Sequence, residues 1–475
     1  MTDMIKASLI YRFFAVIGRW LSAQWMDSRI IRAFVNMKSE EDVAEGSRFF
    51  QLGSRLRDLQ AGLFKILKFD RLFSGSIFAM PYIWCLAAVV LAPLIPTMAL
   101  LGFVLLGAAA SVICFGTDRE RQLVRAPVNR YIILYAALYM AATLMSVTVS
   151  GSLYIGLLSS VFILSAVAIE NSVRTEKQML LMVKLMVLAA VLVSLYGIYQ
   201  HFFGTGGTET WVDEDMFSSI SIRVYSTLDN PNVLSEYLLL AIPLTASCLF
   251  ASENWSGRLL YLAACGIMCL CMIYTFSRGG WLGLLFSIFI FLILVDRRFI
   301  FVILLGAVCL LLFSPDVITE RFSSIGNVTD TSTSYRVSIW MGTLAMLRDY
   351  WMTGIGPGTQ AFNMIYPAYS YNTISAPHAH NLFLQIICDA GIAGILLFAI
   401  LIVVFIRMNC HAISVEKDRR YRLFQIGSLA SVGGFMVQSM TDYSFYNYRV
   451  MFLFWAYIAL SAVFCRAGTL EKEDC

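Results

Sequence analysis

The sequence predicts an all-α, polytopic membrane protein. Hydrophobic residues make up 59% of the 475 and charged residues only 14%, more apolar surface than a soluble domain of this size can bury. Apolar runs close to the roughly 20 residues that cross a bilayer recur from residue 72 onward. Arginine and lysine fall in alternate connecting segments, which is how the positive-inside bias is written in a chain.

The apolar runs predict about twelve transmembrane helices, near 73–93, 96–116, 129–148, 152–170, 178–201, 233–251, 258–275, 279–295, 299–314, 382–407, 422–441 and 448–465. One set of loops carries Arg119, Arg121, Arg125 and Arg130, then Arg174 and Lys177, Arg258, Arg297 and Arg298, and last Arg407, Lys417, Arg419, Arg420 and Arg422. The opposite set holds only Arg223, Arg278, Arg321, Arg336, Arg348 and Arg449. The basic side is predicted to be cytoplasmic and to hold both termini. The chain then divides into a cytoplasmic arm (1–71), a transmembrane bundle (72–466) and a short cytoplasmic tail (467–475). No cleavable signal peptide is read at the start, because Arg12 and Arg19 interrupt its first apolar stretch.

In the arm, Phe49, Leu52, Leu56, Leu59, Leu63 and Ile66 recur every three or four residues, flanked by Arg48, Arg55, Lys65 and Lys68. The pattern predicts an amphipathic helix that lies on the membrane surface or packs on the protein's own cytoplasmic loops. The net charge of +4 and the lack of a basic run with interleaved aromatics argue against a nucleic-acid partner. The eleven cysteines fall in apolar runs or on the predicted cytoplasmic side, so no disulfide framework is expected. Cys265, Cys269 and Cys271 have no histidine nearby and read as buried small residues rather than as a metal site.

Two predicted outer loops are long. Residues 202–232 hold an acidic triplet, Asp213-Glu214-Asp215; residues 315–381 form the larger loop. In the latter Val337, Trp340, Met341, Leu344, Leu347 and Trp351 form a helical stripe suited to the outer membrane face, and Gly354-Ile355-Gly356-Pro357-Gly358 ends that helix.

Two of only four histidines, His378 and His380, close this loop. A histidine takes a proton near neutral pH, so His380 is a candidate general base, with His378 a second contact or a bystander. Arginine suits phosphate, being always charged and able to donate in pairs. Arg278 lies between two spans in Ser277-Arg278-Gly279-Gly280, where glycines allow a tight reversal and a helix start offers N–H groups to an anion. Arg336 and Arg223 are further candidates, each equally an anchor to lipid headgroups. Arg321, Arg348 and Arg449 read as ordinary interface anchors. Asp442 is placed to orient a histidine or neutralise an arginine; Asp389 is an ionisable group inside a span, where such groups are functional or paired. Gln200 and His201 end the fifth span, where they could face the same cavity. No histidine or carboxylate cluster has metal-ligand spacing, which favours a metal-independent site.

These motifs resemble the O-antigen ligase and polymerase superfamily of bacterial envelope proteins. The resemblance covers about 197–445 and rests on Gly197-Ile198-Tyr199-Gln200, Asn230-Pro231-Asn232, Thr275-Phe276-Ser277-Arg278-Gly279-Gly280, Arg336 with Trp340, Gly354-Ile355-Gly356-Pro357-Gly358, and His378-Ala379-His380-Asn381-Leu382-Phe383-Leu384-Gln385 followed by Asp389. It implies a GT-C-like glycosyltransferase bundle in the bacterial cytoplasmic membrane, needing no cofactor and inverting in mechanism. The donor would be a glycan on a polyprenyl diphosphate, the acceptor a hydroxyl on a glycan, lipid or protein, and the active site would face away from the cytoplasm among membrane lipids. By motif, His380 would activate the acceptor, Arg278 and Arg336 would hold the diphosphate, and Arg223 would assist. His378, Gln200, Asp389 and Asp442 are supporting candidates; Asp389 stands where the family often has Glu. The arm, 1–71, lies outside the pattern. A transporter of lipid-linked sugar and a non-catalytic envelope scaffold are the rival readings, although transporters favour repeats and midplane charges.

Overall fold

The computed structural model describes residues 48–67, 73, 75–117, 123–124, 126–204, 223–313, 319 and 331–470. Residues 1–47, Arg321 and the acidic triplet 213–215 lie outside them. Among the described residues all regular structure is helical. The helices are α1 (Arg48–Ile66), α2 (Pro81–Leu91), α3 (Thr97–Thr117), α4 (Asn129–Leu144), α5 (Val149–Ser172), α6 (Glu176–Phe203), α7 (Pro231–Ala251), α8 (Trp255–Tyr274), α9 (Arg278–Val295), α10 (Ile300–Phe313), α11 (Thr331–Tyr350), α12 (Thr359–Ile365), α13 (Leu382–Val415), α14 (Arg419–Gln438) and α15 (Tyr448–Cys465).

A helix stands at each of the twelve predicted spans. Eight of them, α3, α5, α6, α7, α8, α9, α13 and α15, are long and apolar enough to cross a bilayer. The chain is therefore a multi-pass membrane protein. Three of the others are short: α2 has 11 residues, α10 has 14 and α4 has 16. The fourth, α14, is long but less apolar, with three arginines at its start and many small and polar residues along it. Its small residues let neighbours approach: a Cβ on Gly434 would lie 2.6 Å from the Gly283 carbonyl oxygen of α9. Ser431 donates to the Leu240 carbonyl of α7 at 2.7 Å, and Ser287 of α9 donates to the Ala430 carbonyl at 2.7 Å. Small residues and interhelical hydroxyl bonds are how helices associate when lipid removes the hydrophobic drive.

The arm helix α1 docks on α3, with Ala61 buried and Gln60 donating to the Val112 carbonyl at 2.6 Å. Leu59, Leu63 and Ile66 of its apolar stripe point away and are exposed. The nine cysteines whose side chains are described are free thiols.

The helix α11 carries a buried face beside the predicted membrane-facing stripe. Its buried face is Ile339, Thr343 and Met346, packed over Tyr366 and Phe362. Met341 and Leu344 of the predicted stripe are exposed, as is Trp351 just beyond the helix. The helix has two apolar faces, and Thr343 and Gly342 hid the buried one from a count of large apolar residues.

The helix α13 breaks at Ala390 and Gly391, where Gly391 takes φ 64°. The segment after α11 closes the break. Ile355 donates its N–H to the Cys388 carbonyl at 2.6 Å, and Ile392 donates to the Trp351 carbonyl at 2.8 Å. Backbone groups orphaned by the break are thus paired by the loop, as burial demands. Gly354, at φ 72°, makes this possible: a Cβ there would lie 2.6 Å from the Cys388 oxygen.

Candidate functional site

The C-terminal ends of α6, α8 and α14 meet the N-terminal ends of α7, α9, α13 and α15 at one end of the bundle, under the 331–381 segment. A small polar cleft lies there, walled by Arg223, Arg278, Arg336, Asn232, Gln438 and Asp442. Three guanidinium groups and one carboxylate therefore line the same cleft, and Arg336 lies 3.8 Å from that carboxylate. The cleft encloses about 30 Å³, roughly the share of one water in the liquid.

The sequence explains how each group arrives. At the start of α7, Asn230 caps Asn232 N–H at 2.8 Å and Pro231 takes the first helical position. The Asn232 side chain is then a bridge: its oxygen accepts from Arg223 at 3.0 Å and its nitrogen donates to Asp442 at 2.9 Å. Arg223 also donates from Nε to the Thr275 carbonyl at 2.9 Å. Next to it, Phe276 rather than a glycine makes the reversal, at φ 49°. Gly279 and Gly280 serve close approach instead: a Cβ on Gly280 would meet Ser235 at 2.6 Å and one on Gly279 would meet Thr441 at 2.8 Å. Ser277 caps the Gly280 N–H of α9 at 3.3 Å.

The turn before α13 carries the two histidines. His380 sits at φ 47°, a region a side chain rarely enters without being held there. Gln385 holds it from one side, accepting the Ala379 N–H at 2.8 Å. Trp340 holds it from the other, donating to the His380 carbonyl at 3.2 Å. Asn381 caps α13 through the Leu384 N–H at 3.0 Å. Arg336 and Trp340 are four residues apart, so one face of α11 presents both to this turn.

Asp442 joins the two halves of the site. Its carboxylate lies 3.6 Å from His380 Nδ1 and 3.8 Å from Arg336. Burial alone would raise its pKa, but His380 and the positive charge of Arg336 outweigh burial and hold it well below the usual carboxylate range. The contact with His380 is longer than a hydrogen bond, and His380 Nδ1 has no hydrogen-bond partner among the described residues. A proton on Nδ1 facing Asp442 would leave Nε2 able to accept one.

His378 is different. Its Nδ1 accepts the His380 N–H at 3.2 Å, so its proton belongs on Nε2. Burial above all, helped by His380 and Arg336, lowers its pKa to about 3 against the pull of Asp442. It is a neutral hydrogen-bond donor rather than a base.

Of the predicted candidates, Arg223, Arg278, Arg336, His378, His380 and Asp442 come together. Asp389 reaches them indirectly: Gln385 donates to it at 2.8 Å and Tyr139 at 2.9 Å. Gln200 serves a neighbouring turn, donating to the Ser226 carbonyl at 3.3 Å and accepting its N–H at 2.7 Å. His201 stacks on Tyr274, with ring centroids 3.8 Å apart, away from the cleft lining. Arg449 corrects the interface-anchor expectation: it is buried and donates to Asp229 at 2.6 Å and to the Thr227 carbonyl at 2.8 Å.

Residues that sequence reasoning missed are Asn232 as a bridge, Gln385, Tyr139 and Glu236. Glu236 is buried one turn after Asn232, with Oε2 unpartnered among the described residues and within electrostatic reach of Asp442 and Arg336. A carboxyl inside an apolar run, the signal that singled out Asp389, marks it too. Among the described residues no group of three or more His, Cys, Asp or Glu is placed to hold a metal ion.

Residues 263–399 match the family model described as O-antigen ligase. The match supports the O-antigen ligase and polymerase superfamily, and it is narrower than the 197–445 over which the resemblance was read. It contains Arg278, Arg336, His378, His380, Gln385 and Asp389; Arg223, Asn232 and Asp442 come from outside it. No curated protein matches the chain.

Proposed function

We propose that the chain is a glycosyltransferase that moves a glycan from a polyprenyl diphosphate carrier to an acceptor hydroxyl, on the extracytoplasmic side of the bacterial cytoplasmic membrane. One observation carries the reading: Arg223, Arg278 and Arg336 converge on a cleft whose single carboxylate, Asp442, also faces His380. A cluster of guanidinium groups suits a diphosphate, and a histidine beside it suits a hydroxyl that must lose its proton.

In this mechanism His380 Nε2 takes the acceptor proton while Asp442 steadies the imidazolium that forms. The acceptor oxygen bonds to the anomeric carbon as the bond from that carbon to the diphosphate oxygen breaks, and the electron pair leaves with the diphosphate. Arg278 and Arg336 stabilise the charge that builds there. Attack opposite the leaving group inverts the anomeric carbon, and no step calls for a metal. Entry of the diphosphate requires the cleft to widen, which long arginine side chains allow. The loop-poor-in-basic-residues side is the one that holds the site, which supports the extracytoplasmic placement. The twelve-crossing, GT-C-like arrangement and the 1–71, 72–466 and 467–475 division belong to the same proposal.

The deciding experiment incubates purified protein with a defined polyprenyl diphosphate glycan and candidate acceptors. A ladder of lengthening products identifies a polymerase, and a single addition to a lipid or protein identifies a ligase. His380→Ala and Arg278→Ala should each abolish transfer while inserting at normal levels. Full activity in both variants refutes the mechanism.

A further inference from the structure

A second cavity, of about 920 Å³, opens beside the arginine cleft, near the top of the roughly 300–1,000 Å³ typical of ligand pockets. The two are separated by a thin wall whose residues alternate between them. Arg223 and Asp442 face the cleft, while Tyr225 and Tyr443, two and one positions later, face the chamber. The histidine turn stands in the same wall. His380 contacts Asp442 on the cleft side, and His378 lines the chamber, its ring centroid 4.2 Å from that of His380.

The chamber differs from the cleft in chemistry. Its wall carries Tyr196, Tyr225, Tyr443, Tyr446 and Tyr448. The ring of Tyr446 lies 4.6 Å from that of His378 and is half exposed. Its one cation, Arg449, is matched by Asp229 at 2.6 Å, and His378 is neutral. The chamber is thus uncharged overall, rich in donors and acceptors, and faced with aromatic rings. That combination fits a polyhydroxylated ring with apolar C–H faces, and it does not fit a phosphate.

The wall is also held rigid. Ser226 and Asp229 both take left-handed backbone conformations, at φ 52° and 63°. Gln200 pins the turn at Ser226, Ser226 Oγ donates to the Val193 carbonyl at 2.6 Å, and Arg449 pins Thr227 and Asp229. Strain kept in place by this many bonds is a mark of a preorganised site.

We infer that this chamber seats the acceptor saccharide, with Tyr446 as a stacking platform and His378 Nε2–H as a hydroxyl-directing donor. The assignment rests on the transfer reading for one point only: in-line attack places the acceptor across the reacting carbon from the diphosphate, hence beside the histidine turn on the side away from the arginines. A sugar acceptor, rather than a protein side chain or a lipid headgroup, follows from the chamber's chemistry.

The test is calorimetric titration of the full chain in detergent. The first probe is the lipid-free, phosphate-free oligosaccharide released by mild acid from the producing cell's own lipid-linked glycan; the second is inorganic pyrophosphate. Tyr446→Ala should weaken the saccharide about tenfold and Tyr446→Trp should restore it, while Arg336→Ala weakens pyrophosphate and leaves the saccharide within about twofold. No saccharide binding to the wild type, or equal loss in Arg336→Ala, overturns the saccharide chamber. In the transfer assay Tyr446→Ala should raise the acceptor KM and spare the donor KM; a rise in the donor KM alone overturns the acceptor assignment. Should His380→Ala retain transfer, the mechanism fails while the binding results still decide the chamber.

Discussion

Tyr139 and Asp389, 250 positions apart in the chain, meet in a buried hydrogen bond of 2.9 Å from phenol to carboxylate. The bond is the far end of a relay. Asp389 fixes the Gln385 amide, and the Gln385 oxygen receives the Ala379 N–H between the two histidines. In the proposed mechanism this makes Asp389 a positioning residue, acting on His380 through Gln385. Asp389→Asn leaves one acceptor for two donors, so its NH₂ faces either the Gln385 amide or the Tyr139 hydroxyl and loosens Gln385. Its kcat should fall about tenfold with the donor KM nearly unchanged, the consequence of one misdirected buried hydrogen bond. The exchange Asp389→Asn with Gln385→Glu restores a donor facing an acceptor at each contact and should recover most of the rate. A double variant no faster than the single one refutes the relay.

Arg223 and Arg278 carry separate predictions. Arg223 stitches two connections together through Thr275 and Asn232, and a lysine cannot reproduce both bonds. Arg223→Lys should lower the melting temperature in detergent as well as the rate. Arg278→Lys should cost about tenfold or more in kcat/KM for the donor, the scale of a charge-assisted hydrogen bond. A wild-type melting temperature in Arg223→Lys would remove its structural role.

Much of this site is written locally, and the part that is not depends on what surrounds a residue. Helix positions followed from apolar runs, and caps such as Asn230 and Asn381 are visible as residue types at helix starts. Asp442 and Arg336 were found because charge is scarce on their side of the bundle. Gln385, Asn232 and Tyr139 were not, since neutral hydrogen-bonding residues are common and only their partners give them meaning. Arg449 was misread for the same reason: its partner, Asp229, lies 220 positions away. The large chamber leaves no local trace, being assembled from loops that meet only in three dimensions.

His378 gives the fold a pH dependence with a definite sign. An unfolded chain takes a proton on it below about 6.5, whereas the folded chain refuses that proton until about pH 3. The unfolded state binds more protons in that window, so His378 makes stability fall as pH drops from 6.5 toward 3. Asp442, held below the ordinary range, adds stability above about 3.8 that is lost only in stronger acid. The melting temperature of the purified protein should decline between about pH 6.5 and 4.5, and His378→Gln should flatten that decline. An unchanged slope in the variant contradicts the assignment of a buried, neutral imidazole.

The metal-independent mechanism predicts the response to chelation. Transfer by protein dialysed against EDTA should match that of untreated protein, and added magnesium or manganese should not raise it. A loss on chelation that a divalent cation restores would assign the diphosphate to a metal rather than to Arg278 and Arg336.

The clasp on α13 makes the last prediction, and it separates glycines that are needed from glycines that are not. Gly391 lies at φ 64° with the Met352 carbonyl against the place a Cβ would take, and Gly354 lies at φ 72° against the Cys388 carbonyl. Alanine at either position meets both a strained backbone and a hard backbone contact, and should destabilise the fold by about 2–4 kcal/mol. Gly266 of α8 and Gly102 of α3 have nothing within 4 Å of the same point, so alanine there should be neutral or stabilising by up to about 1 kcal/mol. The clasp sets where the first turns of α13 point, and those turns carry Gln385 and Asp389. Gly391→Ala should therefore lose transfer beyond what its fraction of folded protein explains, whereas Gly266→Ala keeps it. Thermal melts paired with specific activity read both effects, and a Gly391→Ala protein that melts and turns over like the wild type would show that the break in α13 does not hold the histidine turn.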